Sequence, residues 1–321
     1  MSSFPFCKTL NPLLIMEKKI EDLVQKIREK YEQDGEDPAT YLEGLLYQNY
    51  ITYWDYIQTD VLLNIQKPVT SYPDEMVFIL YHQITELYFK MVLWECKQLR
   101  EADDPSVDFF IARLTRIENY FKQLIQSFGI MRGGMDPKEF LKFRLALTPA
   151  SGFQSVQFRY IELAMTPLEN LVDFNKREEM SNKPPEEQYQ EIYWKKGATE
   201  VDTGNKAMVL RNFEEKYDEE LLETAKKWQG KTIWELYEKL AGEKKQDEKL
   251  KQALRNVDKA INVKWGQVHY KTAKRYLESD EGQATEATGG TNWKSYMPPA
   301  NQKVFFFPEL WSEKEQDQWG D

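Results

Sequence analysis

The chain holds only two histidines, His82 and His269, and that scarcity decides much of the chemistry open to it. A Ser-His-Asp or Cys-His hydrolase needs one imidazole beside a nucleophile in a context such as GxSxG, and the sequence has none. A zinc centre takes three or more His, Cys or carboxylate ligands, and there is no HExxH and no cysteine pair to begin one. Non-haem iron, with two histidines and a carboxylate, stays open on count. Haem asks for a single axial protein ligand, so a histidine-poor chain can still carry it. The only cysteines, Cys7 and Cys96, stand in no CxxCH, which excludes a covalent c-type haem.

His82 sits in VFILYHQITEL, with Phe78 one helical turn before it and Glu86 one turn after, all on one face. Taken alone, it reads most simply as a core histidine satisfied by a neighbour. His269 sits in INVKWGQVHYKTAKRYL, one turn after Trp265. A neutral imidazole on a rigid helix suits axial ligation, and an ordinary surface or core histidine is the plain alternative. Arg144, in FLKFRLALTPASGFQ, lies among apolar residues, where a guanidinium requires an anionic partner. That partner is either an internal carboxylate or the carboxylate of a ligand, which its forked donors fit. Thr288-Gly289-Gly290 is a small hydroxyl-bearing turn that allows close backbone approach, a weak signal by itself.

The elements that position these residues read as helices. Asp37-Pro38 opens a stripe of Leu42, Leu45, Leu46, Tyr50, Tyr53, Ile57, Val61 and Leu62, which predicts one amphipathic helix to about Gln66. A second helix begins near Ser71, with Pro73 and two acids in its first turn, and runs to about Ala102. It is apolar on nearly all sides and is expected to be buried on most faces. A third covers about Ser106 to Phe128 before Gly133-Gly134, a short one starts at Pro137, and another spans about Gln154 to Pro167. Residues 176–212 are polar and charged and read as a mobile surface excursion. Helical pieces follow at about 215–229 and 232–242, then a long helix from about Asp247 to Ser279 that carries His269. The tail from Asp280 reads as loop, including VFFF at 304–307, which is too short and unpaired to be a strand.

Composition sets the frame. With 321 residues, 41% hydrophobic and 14% aromatic, the chain can bury a sizeable core and line a pocket for a flat ligand. A net charge of −10 without a basic block excludes a nucleic-acid binder and an anionic-membrane binder. No apolar run approaches a membrane span, the start is a poor signal peptide, and cysteine usage fits a reducing, cytoplasmic setting.

Five segments together resemble the tryptophan 2,3-dioxygenase family. They are YWDYIQTDVLLNIQ from Tyr53, FILYHQITELYFKMVLWE from Phe78, FRLALTPASGFQSVQFR from Phe143, WGQVHYKTAKR from Trp265 and ATGGTNW from Ala287. The PASGFQS stretch and the HQxxEL helix are the specific ones, and the TGG loop counts only in their company. The resemblance implies an all-α bundle enclosing a b-type haem. That catalytic domain would cover 37–321, after an N-terminal segment 1–36, with 176–245 as a variable helical insertion. It implies a homotetramer that uses O2 to open the indole ring of L-tryptophan, or of a related indole amino acid, giving N-formylkynurenine. Position by position, it implies His269 as the haem iron's axial ligand. His82 becomes the distal histidine that orients the indole N–H, and Phe78 packs on the indole. Arg144 would hold the substrate carboxylate, Thr288 its head group, and Ser151 the haem edge. Tyr53 and Tyr56 would line the pocket, supplied largely by a neighbouring subunit. The departures are Thr291-Asn292-Trp293 where the family has small residues, ELYFK for ELWFK, and a longer stretch between His269 and Thr288. They keep open a related haem monooxygenase acting on tryptophan, a substituted tryptophan or another aromatic amino acid. A non-catalytic sensor and a cofactor-free helical interaction protein are the remaining readings.

Overall fold

The computed structural model describes residues 12–147, 150–198, 205–278 and 293–321. They are helical almost throughout, with no sheet strand among them and one isolated bridge between Val172 and Ile192. The all-α expectation holds. The chain forms two compact units, the first ending at Ile65 and the second running from Gln66 to Asp321.

The first unit contains α1 (Pro12–Gln33), α2 (Pro38–Leu46), α3 (Tyr53–Ile57) and α4 (Thr59–Leu62). The single helix expected from Asp37 to Gln66 is therefore broken into pieces. Its start is as read: the Asp37 carboxylate caps Ala39, with Pro38 at the first position. The breaks fall at Tyr50 and Gln58, which have φ of +30° and +54°, and Thr52 caps a new helix through Asp55. Most stability of a short helix comes from packing its apolar face. Here that face is open: Leu45, Leu46, Tyr47, Tyr50, Tyr53 and Tyr56 are all exposed, Tyr50 to 92%.

In the second unit, α5 (Pro73–Glu101) and α6 (Val107–Gly134) form the central pair. Tyr81, Thr85, Phe89, Val92, Cys96 and Leu99 bury one face of α5. Phe110, Leu114, Ile117, Phe121, Leu124, Phe128 and Met131 bury the matching stripe of α6. Full burial of each large apolar side chain contributes about 1.5–3 kcal/mol. α5 is not buried all round as its composition suggested. Leu80, Ile84, Leu87, Met91 and Trp94 form an exposed row down its other side. α6 also runs through Gly133 and stops only at Gly134. α7 (Pro137–Arg144) and α8 (Val156–Met165) start where the sequence placed them.

The excursion at 176–212 is not a loose surface feature where it is described. It holds α9 (Arg177–Met180), α10 (Pro185–Gln190) and α11 (Tyr193–Gly197). It buries Gln188, Tyr189, Trp194, Lys195 and Ala198. Its charges are absorbed locally: Lys195 pairs with Glu214 at 3.1 Å and Asp218 at 2.9 Å. α12 (Met208–Trp228), α13 (Ile233–Glu238) and α14 (Glu243–Gln246) follow. The long helix expected from Asp247 is real but composite. α15 (Glu248–Asp258) passes into a π-helical stretch, Lys259–Trp265, and then into α16 (Gly266–Leu277), which carries His269.

The tail is more than loop. It contains α17 (Trp293–Tyr296), α18 (Pro299–Gln302) and α19 (Glu313–Asp317). The extended VFFF segment is fully buried and needs no strand partner. The backbone N–H groups of Phe306 and Phe307 donate instead to the Asp258 carboxylate at 3.1 and 3.2 Å.

Candidate active site

A cavity of about 280 Å³ opens between α5, α8 and the π-helical stretch with α16. His82 and His269 both line it, together with Phe78 and Ser151. A second hollow, of about 460 Å³, lies between the end of α8, α10 and α13, with Glu169 and Glu235 on its wall. It contains neither histidine.

His82 is held from its own helix. Its Nδ1 lies 2.7 Å from the carbonyl oxygen of Phe78, and because a carbonyl only accepts, Nδ1 carries the proton. Nε2 is then an unprotonated acceptor. The ring packs on Phe78 at 4.1 Å between centroids and meets the edge of Tyr81 at 5.9 Å. Burial pushes its pKa below the ordinary histidine value, against the opposing pull of the Phe78 carbonyl and of Glu86. Glu86 is itself fixed by Gln157, whose side-chain amide donates to the Glu86 carboxylate at 2.8 Å and to its carbonyl at 2.9 Å.

His269 lies between Phe128 and Trp265, at centroid distances of 5.9 and 6.1 Å. Its ring counts as exposed because it borders the cavity, yet protein on the other sides strips it of water. Burial, and then the nearby His82, push its pKa down to about 4. At neutral pH it is a neutral imidazole, and it makes no hydrogen bond to any described residue.

Ser151 caps the turn Gly152–Gln154: its hydroxyl accepts from Phe153 N at 3.3 Å, and its own N–H donates to Gln154 at 3.3 Å. This is the PASGFQS stretch seen locally, a capping box that sets Ser151, Gly152 and Ser155 along one edge of the cavity.

Other predicted residues are placed differently. Arg144 ends α7, is buried, and does not appear in the cavity lining. Thr288 lies outside the described residues. Tyr53 and Tyr56 stand on α3 of the first unit with exposed rings. Trp293, in the tail that reads as loop from sequence, is instead 1% exposed within an aromatic cluster, 5.7 Å from Tyr270 and in company with Phe140 and Phe143.

Two cavity residues escaped sequence reasoning. Arg159 and Tyr193 both line the pocket. Arg159 donates to Glu162 at 2.8 Å and to the Tyr193 hydroxyl at 3.3 Å, and the Tyr193 hydroxyl donates to Glu162. Desolvation works against the Arg159 charge, but Glu162 and Tyr193 outweigh it and hold the guanidinium cationic. Arg159 was legible only as the last residue of the FQSVQFR match. Tyr193 sits in the polar excursion, where nothing in the sequence marked it.

These residues can be tested against a haem. The macrocycle needs a neutral axial nitrogen, apolar walls and a polar edge for its carboxylates. His269 supplies the first, a neutral imidazole that borders the cavity and makes no hydrogen bond to a described residue. Phe89, Phe128, Phe158 and Trp265 supply the walls. At the edge stand the Ser151 and Ser155 hydroxyls and Arg159, whose buried Nε has no partner among the described residues. The donor set fits. No group of three metal-ligating side chains exists among the described residues, so a bare-metal centre is not offered there. No helix of the described residues is long and apolar enough to cross a membrane.

Residues 46–208 match the family model described as tryptophan 2,3-dioxygenase, a span that includes α5, the PASGFQS turn and Arg159. A relative named tryptophan 2,3-dioxygenase from Bacillus thuringiensis subsp. konkukian is 30% identical over 275 residues, covering 82% of this chain and 91% of its own. One of the same name from Xenopus laevis is 34% identical over 195 residues, 57% of this chain and 45% of its own. Tryptophan 2,3-dioxygenase B of Danio rerio is 36% identical over 145 residues, 41% of this chain and 35% of its own. A match across half the chain, a relative covered nearly end to end, and two imidazoles lining one cavity agree: the chain belongs to the tryptophan 2,3-dioxygenase family.

Proposed function

We propose that this protein opens the indole ring of L-tryptophan with O2, inserting both oxygen atoms across the C2–C3 bond to give N-formylkynurenine. The observation that carries the reading is the pair of neutral imidazoles lining one aromatic cavity in a chain of this family. His269 would hold haem b, which would supply the activation of O2. The protein supplies position. His82 offers its unprotonated Nε2 to the indole N–H, and Phe78 lies against the indole face. By their places in the family motifs, Arg144, which is buried at the end of α7 outside this cavity's lining, is assigned the substrate carboxylate and Thr288 its amino-acid head group, while Ser151 and Arg159 stand at the edge for the cofactor's carboxylates. Fixing the substrate against the oxygen site contributes much of the rate.

Tyr53 and Tyr56 complete the pocket from a second copy of the chain within a homotetramer. Support comes from two unpartnered apolar surfaces, the open face of α2–α4 and the exposed row from Leu80 to Trp94 on α5.

The test is to reduce the haem-loaded protein without oxygen, add L-tryptophan and isotopically labelled O2, and weigh the product. A gain of two labelled oxygen atoms is expected. A gain of one would make the protein a monooxygenase, and oxygen-independent haem binding with no product would make it a sensor.

A further inference from the structure

The π-helical stretch Lys259–Trp265 stands directly before the helix turn that carries His269. π-helical turns hold about one residue more than the 3.6 of an α-helix and are rare unless surrounding contacts maintain them. Over seven residues, that difference rotates everything downstream by about a third of a turn relative to a continuous α-helix. The π turns thus set the direction in which His269 leaves the helix toward the cavity it lines with Trp265, and a continuous α-helix would turn that direction by the same angle.

Two residues, Asp258 and Trp265, hold the stretch at its ends. At the far end, Trp265 is boxed by Phe89, Phe121 and Phe128 at 5.9, 6.1 and 4.9 Å. At the near end stands Asp258, wholly buried. Its Oδ1 accepts from Asn262 Nδ2, inside the stretch, at 2.7 Å and from Phe306 N at 3.1 Å. Its Oδ2 accepts from Phe307 N at 3.2 Å and from Trp311 Nε1 at 2.9 Å. One carboxylate thus ties the first π turn to the buried C-terminal segment. A buried carboxylate among neutral donors is costly and persists only where all its lone pairs are engaged.

We propose that Asp258 is a positioning residue for the haem ligand: by pinning the π turns to the C-terminal segment, it sets the rotation at which His269 faces the cavity. The proposal rests on the reading of His269 as axial ligand. Asp258 touches neither cofactor nor substrate, and its effect passes through the helix.

The test uses the haem-loaded enzyme. Asp258→Asn keeps the size but turns an amide N–H toward Phe307 and Trp311, while Trp311→Phe removes a single donor and keeps an aromatic ring. Three quantities are read: haem transfer to excess apomyoglobin, thermal melting, and the g-anisotropy of the ferric cyanide complex, which follows the plane of the axial imidazole. Haem loss is expected to quicken on the order of tenfold in Asp258→Asn, the usual scale for an outer-shell partner, and less in Trp311→Phe, with altered anisotropy in both. If Asp258→Asn does not fold, Trp311→Phe decides. Wild-type haem release and anisotropy, even with lowered melting, would overturn the proposal and leave Asp258 purely structural. Full haem retention in His269→Ala is a separate outcome that would overturn the ligand reading instead.

Discussion

The Nδ1–H of His82 donates to the carbonyl oxygen of Phe78, one turn earlier on the same helix, at 2.7 Å. This bond fixes the tautomer, so the nitrogen left for a ligand is an acceptor. His82→Ala should keep haem and lower kcat/KM for tryptophan by roughly tenfold, the scale of one lost hydrogen bond. With 1-methyltryptophan, which has no indole N–H, the same substitution should change little. Equal losses on both substrates would show that His82 does something other than accept that proton.

The His269 pKa of about 4 gives a pH prediction. The folded protein keeps the ring neutral down to that point, while the unfolded chain protonates it from about 6.5. Any stability tied to the neutral ring is therefore full above 6.5 and is lost as the pH falls towards 4. Haem binding, which needs the neutral ring, should stay flat from neutral pH to about pH 5. A haem titration at several pH values checks this, and an affinity that drops steadily from pH 6.5 downward would contradict it.

Arg144→Leu should raise KM for tryptophan by roughly ten- to a hundredfold, the range for a charge-assisted hydrogen bond, and leave haem affinity unchanged. Tryptamine lacks the carboxylate, so the variant should lose its preference for tryptophan over tryptamine. An unchanged KM would remove Arg144 from the substrate site.

Trp293→Ala should act on stability more than on chemistry. Deleting a buried tryptophan costs about 3–5 kcal/mol, and Trp293 fills a core cluster instead of facing the cavity. Urea denaturation should register that loss while the product still gains two oxygen atoms. A switch to one oxygen would mean that Trp293 governs the reaction outcome after all.

Glu162→Ala leaves the Arg159 guanidinium buried without its carboxylate and should cost about 3–5 kcal/mol. Glu162→Gln, which can still accept from Arg159, should cost less. Identical losses would argue that the pair contributes through packing alone.

Much of this was legible in the sequence, for reasons that differ by residue. The Phe78-His82 pair could be read because both lie on one helix, where spacing alone gives the face. Ser151 was reached only through the family motif, although the capping box that holds it is local. Asp258 could not: its partners Phe306 and Trp311 lie some fifty residues away, and a lone aspartate in a charged helix resembles any surface acid. The π turns were equally hidden, because a continuous helical pattern does not report a change in residues per turn. The helix expected from Asp37 to Gln66 failed for the opposite reason. Its stripe was genuine, but a stripe without a surface to bury it does not keep a helix whole. Trp293 was misplaced because a small-residue loop pattern says nothing about where a tryptophan inserted into it will point.

The Arg159–Glu162–Tyr193 triangle joins α8, which packs on α5, to α11, in the stretch that looked like decoration. Two of its corners border the cavity. The segment around α11 and the helix α8 are therefore a single heritable unit: a chimaera that exchanges one without the other would strand a buried charge. Attempts to graft this cavity onto another scaffold, or to trim the chain to a minimal enzyme, would have to carry both pieces together.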